Sequence, residues 1–242
     1  MRSIDKRGTP GLLNDWKREM LASPQNLRYE SLPTSVKDAV KLELLTEQGY
    51  LCAYTLRRID GVNSCHIEHV EPQNAAPGKD LDYANMAACF PKDGGDVSSG
   101  YGAPTKAGQS VTFNVDFVSP HSSGCNVRFR FDADGGICAV TGDAAAQKTI
   151  ELLRLDHDAL ADLRRGAIQA HGLAVSVRTT RTARKLKTAA EARRFAAEVL
   201  LHDGAGRFEP YSVALAQAAL TYASREDARA LRLRNQHGNK FD

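Results

Sequence analysis

The chain has 242 residues, of which 32 are basic and 29 acidic, and 42% of them are hydrophobic. This composition is typical of a globular protein and excludes a disordered or collagen-like chain. No run approaches the roughly 18 apolar residues of a membrane-spanning helix, and the amino end lacks the apolar segment of a secretory signal, so we expect a cytoplasmic protein with no membrane partner.

The first predicted elements are a helix and a β-hairpin. Apolar residues recur at helical spacing over residues 35–48, where Ser35 is the expected cap. From residue 51 to residue 70, β-compatible residues surround a turn signal at Asp60-Gly61. This pattern predicts a hairpin whose second strand runs from Ser64 to Val70.

Downstream, the sequence predicts further short strands. Residues 81–89 suggest a short helix or turn, and a Gly- and Ser-rich loop follows over residues 93–109. Apolar and polar residues alternate over residues 111–117 and again over residues 127–131, which is typical of half-buried strands. A third short strand is expected over residues 137–140.

Helices are predicted for the rest of the chain. The segments are residues 144–153, residues 156–170 capped by Asp156, a helix that begins at the capping pair Thr188 and Glu191, and two helices over residues 210–234 divided by a second capping pair, Ser224 and Asp227. The predicted fold class is therefore α+β, with a small strand region wrapped by helices.

The sign of the charge changes along the chain. Residues 1–163 carry 17 Lys and Arg against 22 Asp and Glu, whereas the remainder carries 15 against 7. The run 178–187 contains five Lys or Arg residues and no acid, and we take Arg181, Arg184 and Lys185 from it as candidate substrate-binding residues. Such a run can bind phosphates through salt-sensitive contacts, although a solvated helix face or a linker has the same composition.

The segment His66-Ile67-Glu68-His69-Val70-Glu71-Pro72 contains two imidazoles and two carboxylates within six residues. On a strand, His66 and Glu68 point to the same face and suit a divalent metal, whereas His69 points to the other face unless the strand bends. This combination suits phosphodiester hydrolysis, because an imidazole can take a proton from water while a metal stabilises negative charge. A polar edge strand without function has the same composition.

Residues on either side of this segment complete a family pattern. Cys52-Ala53-Tyr54 precede it, and Tyr83-Ala84-Asn85-Met86, Cys89 and Lys106-Ala107-Gly108 follow it. In this order they resemble the HNH nucleases. The resemblance implies a ββα-metal core, in which two strands and a helix surround one divalent cation, Mg²⁺ or Mn²⁺.

The same resemblance implies roles for individual residues. His69 corresponds to the general base, and Glu68 to a metal ligand. His66, on the same face of the strand, is a candidate second ligand. Asn85 corresponds to the residue that holds the loop positioning the histidine, which is a supporting role. Lys106 is a candidate substrate contact.

The resemblance is closer to one branch, the HNH component of the Septu anti-phage system and of Septu-like retrons. Further residues that match in order are Ser119-Pro120, Asp134-Gly135 and the run from Thr149 to Leu153. This implies an anti-phage nuclease that cuts DNA or RNA and works with an ABC- or SMC-type ATPase partner. We therefore predict an HNH nuclease domain with N-terminal helices over residues 1–175 and a basic helical region over residues 176–242.

The cysteines depart from the zinc knuckle of that branch. Thr55 and Tyr101 stand at two positions where cysteines are expected, so Cys52 and Cys89 supply only half of a tetrahedral zinc shell. Two buried thiols are therefore predicted in place of a structural zinc. The five cysteines are odd in number and scattered, which also argues against a disulfide framework.

The last metal ligand of the family pattern is also missing, because residues 102–105 contain no good ligand before Lys106. His66 or His121 could substitute for it. These departures leave open an alternative function, a catalytically degenerate HNH-like scaffold that binds nucleic acid or a partner protein. A zinc hydrolase of small molecules is a third interpretation, but it needs three firm protein ligands and a deep pocket.

Overall fold

The computed structural model describes residues 1–74, 78–173 and 188–238, with side chains up to residue 235. Within these ranges the protein is α+β, as predicted. Its helices are α1 (Gly11–Met20), α2 (Thr34–Glu47), α3 (Ala103–Lys106), α4 (Ala144–Leu153), α5 (Asp158–Ala170), α6 (Ala189–Glu198) and α7 (Ser212–Gly238). Its strands are β1 (His66–His69), β2 (Met86–Cys89), β3 (Phe129–Phe131) and β4 (Ile137–Ala139).

No helix in the described part of the chain is both long and apolar enough to cross a membrane. The basic run at 178–187, with the candidate substrate-binding residues Arg181, Arg184 and Lys185, lies outside the described residues.

An antiparallel ribbon of β1 and β2 lies at the centre of the first core. His66 pairs with Cys89 and His69 pairs with Met86. The predicted hairpin over residues 51–70 is wrong, because the partner of β1 is β2. All four residues of β2 are buried, so this strand lacks the alternation that identifies a half-exposed strand and was predicted as a helix or turn.

The helix α2 fixes the position of β2. Val36, Val40 and Leu44, the residues at helical spacing, are buried, but the helix begins after Pro33 with no side-chain cap, so Ser35 does not cap it. Just beyond its end, the buried amide of Gln48 donates to the carbonyl of Ala88 at 2.9 Å and accepts from the Ala88 amide at 2.7 Å. These two bonds satisfy backbone groups of β2 that no neighbouring strand pairs.

A second antiparallel ribbon is formed by β3 and β4. The predicted strand over residues 111–117 is wrong, because the amides of Val115 and Asp116 both donate to the carbonyl of Thr112 and form a turn. The turn between β3 and β4 requires glycine at Gly135, where φ is +83°. A Cβ atom there would lie 2.1 Å from the carbonyl oxygen of Ala161 on α5.

The carboxyl-terminal helices confirm some local predictions. The helix α4 has the predicted bounds, and its cap is the Asp143 side chain. The capping box of Thr188 and Glu191 is present at the start of α6 with both reciprocal hydrogen bonds.

Two other capping predictions are wrong. The helix α5 is capped by His157, whose side chain accepts from the Ala159 amide, and Asp156 has no part in the cap. One continuous helix, α7, replaces the two helices predicted over residues 210–234. The hydroxyl of Ser224 donates to the Leu220 carbonyl one turn earlier, which is how a serine inside a helix satisfies its side chain.

The buried apolar residues form two main clusters. The first extends from Met1 to Leu160 and contains the β1–β2 ribbon. The second extends from Ile168 to Ala223 and joins α5, α6 and α7. Since α5 contributes to both clusters, the two halves share one helix, and the predicted boundary near residue 175 stays a prediction.

Candidate functional site

The strand β1 presents its polar side chains to two different surroundings. His66 and Glu68 share one face and His69 projects from the other, as the alternation of a strand predicts. The side chain of Glu68 meets Tyr54 and Lys106, whereas the ring of His69 meets Tyr29 and the loop before β2. Glu68 and His69 therefore do not converge on one point.

The Glu68 carboxylate is held by a buried lysine. The Nζ atom of Lys106 lies 2.8 Å from Oε1 of Glu68, and it also donates to the carbonyl of His69 at 3.0 Å. The hydroxyl of Tyr54 donates to the same Oε1 atom at 3.2 Å. The side chain of Lys106 is only 1% exposed and that of Glu68 13%, so the predicted substrate contact Lys106 is directed inward.

His66 completes this cluster from the start of β1. Its Nε2 atom lies 3.6 Å from Oε2 of Glu68, and its Nδ1 atom lies 2.5 Å from the carbonyl oxygen of Pro91. Burial lowers the pKa of His66, but hydrogen bonds with Glu68 and Pro91 outweigh it and raise the pKa. Burial raises the pKa of Glu68, but His66 and Lys106 outweigh it, so the pKa of this carboxyl is lowered.

These residues do not fit a divalent cation as they are arranged. No group of three or more His, Cys, Asp or Glu side chains comes together as metal ligands would, among the residues that the structure describes. Beside Glu68, the close pair of candidate ligand atoms is Nε2 of His66 and Oε2 of Glu68, 3.6 Å apart. A divalent cation beside Glu68 would also face the ammonium of Lys106, which is bound to the same carboxylate.

His69 lies on the other side of β1 in a setting suited to proton transfer. Its Nε2 atom is 2.8 Å from the carbonyl oxygen of Asp80, and the Tyr29 ring packs edge-on at 4.8 Å between centroids. A carbonyl only accepts hydrogen bonds, so Nε2 carries the proton and Nδ1 has a free lone pair. Burial lowers the pKa of His69, which favours the neutral imidazole at neutral pH.

Asn85 fixes the loop that carries the Asp80 carbonyl. Its side-chain oxygen accepts from the Glu71 amide at 2.7 Å, and its side-chain nitrogen donates to the Glu71 carbonyl at 2.9 Å. The Asn85 carbonyl also accepts from the Val70 amide at 2.9 Å. Both ends of the loop are thus tied together next to His69.

At the expected zinc knuckle, Cys52 is in contact with two of the other three positions, Thr55 and Cys89. Cys52 and Cys89 are fully buried and hydrogen-bonded to each other. Burial raises the pKa of Cys52, but hydrogen bonds from Cys89, Thr55 and the Phe90 amide outweigh it and lower the pKa to about 5. Hydrogen bonds therefore join residues that a zinc ion would otherwise hold.

The structure brings together some predicted residues and separates others. His66, Glu68 and Lys106 form one cluster, and Asn85 supports His69 across the strand. His121 lies apart from this cluster, near Met86, where burial lowers its pKa to about 4.

Sequence reasoning assigned no role to Tyr54 or to the carbonyl of Asp80. Tyr54 could have been found, because it stands within the motif Cys52-Ala53-Tyr54. A contact through a main-chain carbonyl has no residue-type signature, so nothing in the sequence identifies Asp80.

Comparison with known proteins gives a partial match to an HNH endonuclease. No family model matches the chain. The chain is 31% identical over 105 residues to the "Retron Vc95 putative HNH endonuclease" of Vibrio cholerae serotype O1 biovar El Tor. The match covers 42% of this chain and 47% of that protein, so the chain spans about half the length of the curated relative that it matches. This similarity supports a relationship to HNH endonucleases and does not distinguish the Septu branch.

Proposed function

We propose that the protein is an HNH-type endonuclease that hydrolyses phosphodiester bonds of DNA or RNA. The observation that carries the proposal is the pairing of a neutral, buried His69 with a loop fixed by Asn85. The strands β1 and β2 and the short helix α3 would then be the ββα core. The relative's name, which contains both the words retron and HNH endonuclease, supports a role in a retron defence context.

In this proposal His69 acts as the general base. Its Nδ1 atom takes a proton from water while the water oxygen forms a bond to phosphorus, and the bond from phosphorus to the sugar oxygen breaks. The leaving oxygen takes up a proton from solvent. The Asp80 carbonyl keeps the ring in the tautomer that leaves Nδ1 unprotonated, so Asp80 and Asn85 are positioning residues.

The cation and the partner are separate parts of the proposal. HNH endonucleases generally use a divalent metal, and the resemblance implies Mg²⁺ or Mn²⁺ on Glu68 and His66, but these residues do not fit a cation as they are arranged. Because Lys106 binds the same carboxylate, we derive no step through a metal. The ABC- or SMC-type ATPase partner and the phosphate-binding role of Arg181, Arg184 and Lys185 follow from the Septu resemblance and the charge run.

The test is cleavage by the purified chain with single-stranded and duplex DNA and with RNA. Each substrate is offered with Mg²⁺, with Mn²⁺ and with a chelator, in the presence and absence of a candidate ATPase. We expect His69→Ala and His69→Gln to abolish cutting while thermal unfolding stays cooperative. His202→Ala, an exposed histidine away from the site, is the matched control and should cut normally. Equal cutting by the His69 variants and the control would show that His69 is not the base.

A second candidate function is a degenerate scaffold that binds nucleic acid or a partner protein. The ion pair between Lys106 and Glu68 favours it, because that pair neutralises the carboxylate which a cation would need. The two candidates differ in one outcome: a scaffold binds nucleic acid but shows no cutting under any of the ion conditions.

A further inference from the structure

A pocket with charged residues in its lining lies at the end of the β1–β2 ribbon, away from His69. It has a volume of about 440 Å³ and is lined by residues that flank the two strands, among them Ser64 before β1 and Phe90 after β2. We call it the Arg57 pocket. Its volume falls in the range of small-molecule sites, about 300–1,000 Å³.

The base of the pocket contains a cation held in a fixed orientation. The guanidinium of Arg57 packs over the Phe90 ring, 3.9 Å from its centroid, and donates one hydrogen bond to the Tyr101 hydroxyl at 2.7 Å. A guanidinium has five N–H donors, so most of them stay available. No carboxylate pairs with Arg57 among the described residues.

Two further groups in the pocket also have no partner within the described chain. The hydroxyl oxygen of Ser99 is buried without a hydrogen bond. The exposed side chain of Lys92 also lines the pocket and forms no ion pair among the described residues. A buried polar atom without a partner costs free energy, which a ligand that accepts its hydrogen bond would recover.

The carboxylate that lines the pocket, Asp96, is already hydrogen-bonded within its own turn. The Asp96 carboxylate accepts from the Ser98 amide and from the Ser98 hydroxyl, both at 2.7 Å. The pocket lining therefore contains two cations and the unpartnered Ser99 hydroxyl, against one carboxylate that is bound to its own turn. This balance favours an anion with several acceptor oxygens, and Arg forks match phosphate geometry.

We propose that the Arg57 pocket binds a phosphate-bearing nucleotide of the nucleic-acid strand, with the phosphate on Arg57, Lys92 and Ser99. This inference rests on the proposed function, because it places the nucleotide on the same strand as the scissile bond. The ribbon separates the pocket from His69 by about 13 Å, because Phe90 lies four residues beyond Met86, the partner of His69, at about 3.3 Å each. A strand that rises about 3.4 Å per nucleotide reaches the pocket about four nucleotides from the cut.

The test is equilibrium binding of a fluorescein-labelled twelve-nucleotide single-stranded DNA, measured by anisotropy as salt is raised. Lys92→Gln should weaken binding several-fold and make the salt slope shallower by about 0.7, the value for one phosphate contact on a single strand. Ser99→Ala should weaken binding with no loss of stability, since its hydroxyl has no partner to lose. Lys148→Gln, an exposed lysine on α4, is the matched control and should bind as wild type does.

The outcomes separate this proposal from the nuclease proposal. If Lys92→Gln and Ser99→Ala bind like the Lys148→Gln control, the pocket assignment is wrong even where His69→Ala abolishes cutting. If both pocket variants lose affinity while the chain cuts nothing, the pocket stands and the nuclease proposal falls. Titration of the wild type with dAMP and with deoxyadenosine adds a direct readout, because only the phosphate-bearing probe should perturb the amide resonances of Ser98 and Ser99.

Discussion

Replacing Lys106 by methionine tests whether its ammonium is the cation of this site. The substitution keeps most of the side-chain volume and removes the charge that lies 2.8 Å from Glu68. Removing one partner of a buried ion pair costs about 3–5 kcal/mol, because the other charge stays buried and unpaired. Tyr54 and His66 still contact Glu68, so we expect the lower end of that range, about 3 kcal/mol at neutral pH.

A second lysine in the protein provides the matched control. Lys41 is also buried and pairs with Asp93 at 2.6 Å, but the Asp93 side chain is 61% exposed. Lys41→Met leaves that carboxylate in water, so loss of this ion pair should lower the free energy of unfolding by less than about 1 kcal/mol. The double variant Glu68→Gln with Lys106→Met removes both charges and should recover most of the stability that Lys106→Met loses.

We also expect Lys106→Met to change metal binding. Without the ammonium, Oε2 of Glu68 and Nε2 of His66 are two donors 3.6 Å apart with no competing cation. Mn²⁺ should therefore stabilise Lys106→Met, by about 1.4 kcal/mol at tenfold excess over its dissociation constant, and leave the wild type unchanged. Urea unfolding with and without Mn²⁺ measures both effects. The reasoning fails if Lys106→Met costs no more than Lys41→Met, or if Mn²⁺ stabilises the wild type equally.

Three other predictions concern the loop, a buried histidine and a helix cap. Asn85→Ala removes both side-chain bonds to Glu71, so we expect a loss of about 1–3 kcal/mol and faster amide exchange in the loop before β2, measured by hydrogen exchange. His121 has a pKa lowered from 6.5 to about 4, mainly by burial, so the unfolded state binds its proton first and stability falls as pH drops below 6.5. His121→Asn should therefore reduce the stability lost between pH 7 and pH 5 by about 2 kcal/mol in urea titrations, and an unchanged loss would contradict the shift. Thr188→Ala should cost about 1 kcal/mol in the same assay, whereas Ser224→Ala should cost much less, because only Thr188 caps a helix.

Local signals explain which elements were predicted from the sequence. The bounds of α4 and the capping box of Thr188 and Glu191 depend on residues within one or two turns of each other. The failures involve distant or missing signals. The ribbon was assigned to the wrong partner because His69 and Met86 pair across a loop, and the uniformly apolar β2 shows no period.

In the candidate site, too, local patterns were predicted from the sequence and contacts between distant residues were not. Alternation along one strand placed His66 with Glu68 and His69 on the opposite face, and the structure has this arrangement. The ion pair joins residues 38 positions apart, and a lysine in a Gly-rich context carries no sign of its partner. The sequence analysis took Lys106 as a candidate substrate contact, whereas in the structure it belongs to the lysines that are fully buried because they are paired.

One departure from the zinc knuckle, Tyr101, and the missing last metal ligand fall in one segment of the chain, residues 101–106. At its start the Tyr101 hydroxyl accepts from Arg57, and at its end Lys106 binds Glu68, so hydrogen bonds and an ion pair anchor both ends. The Gly102 amide also donates to the Leu153 carbonyl on α4 at 2.7 Å. Structural metal sites lose their folding free energy when the ion is removed, whereas these contacts are independent of any ion. We therefore expect a chelator to leave the thermal midpoint of the wild type unchanged, and Arg57→Gln or Lys106→Met to lower it. A fall in the wild-type midpoint that added Zn²⁺ reverses would instead show that an ion, and not these polar contacts, holds the segment.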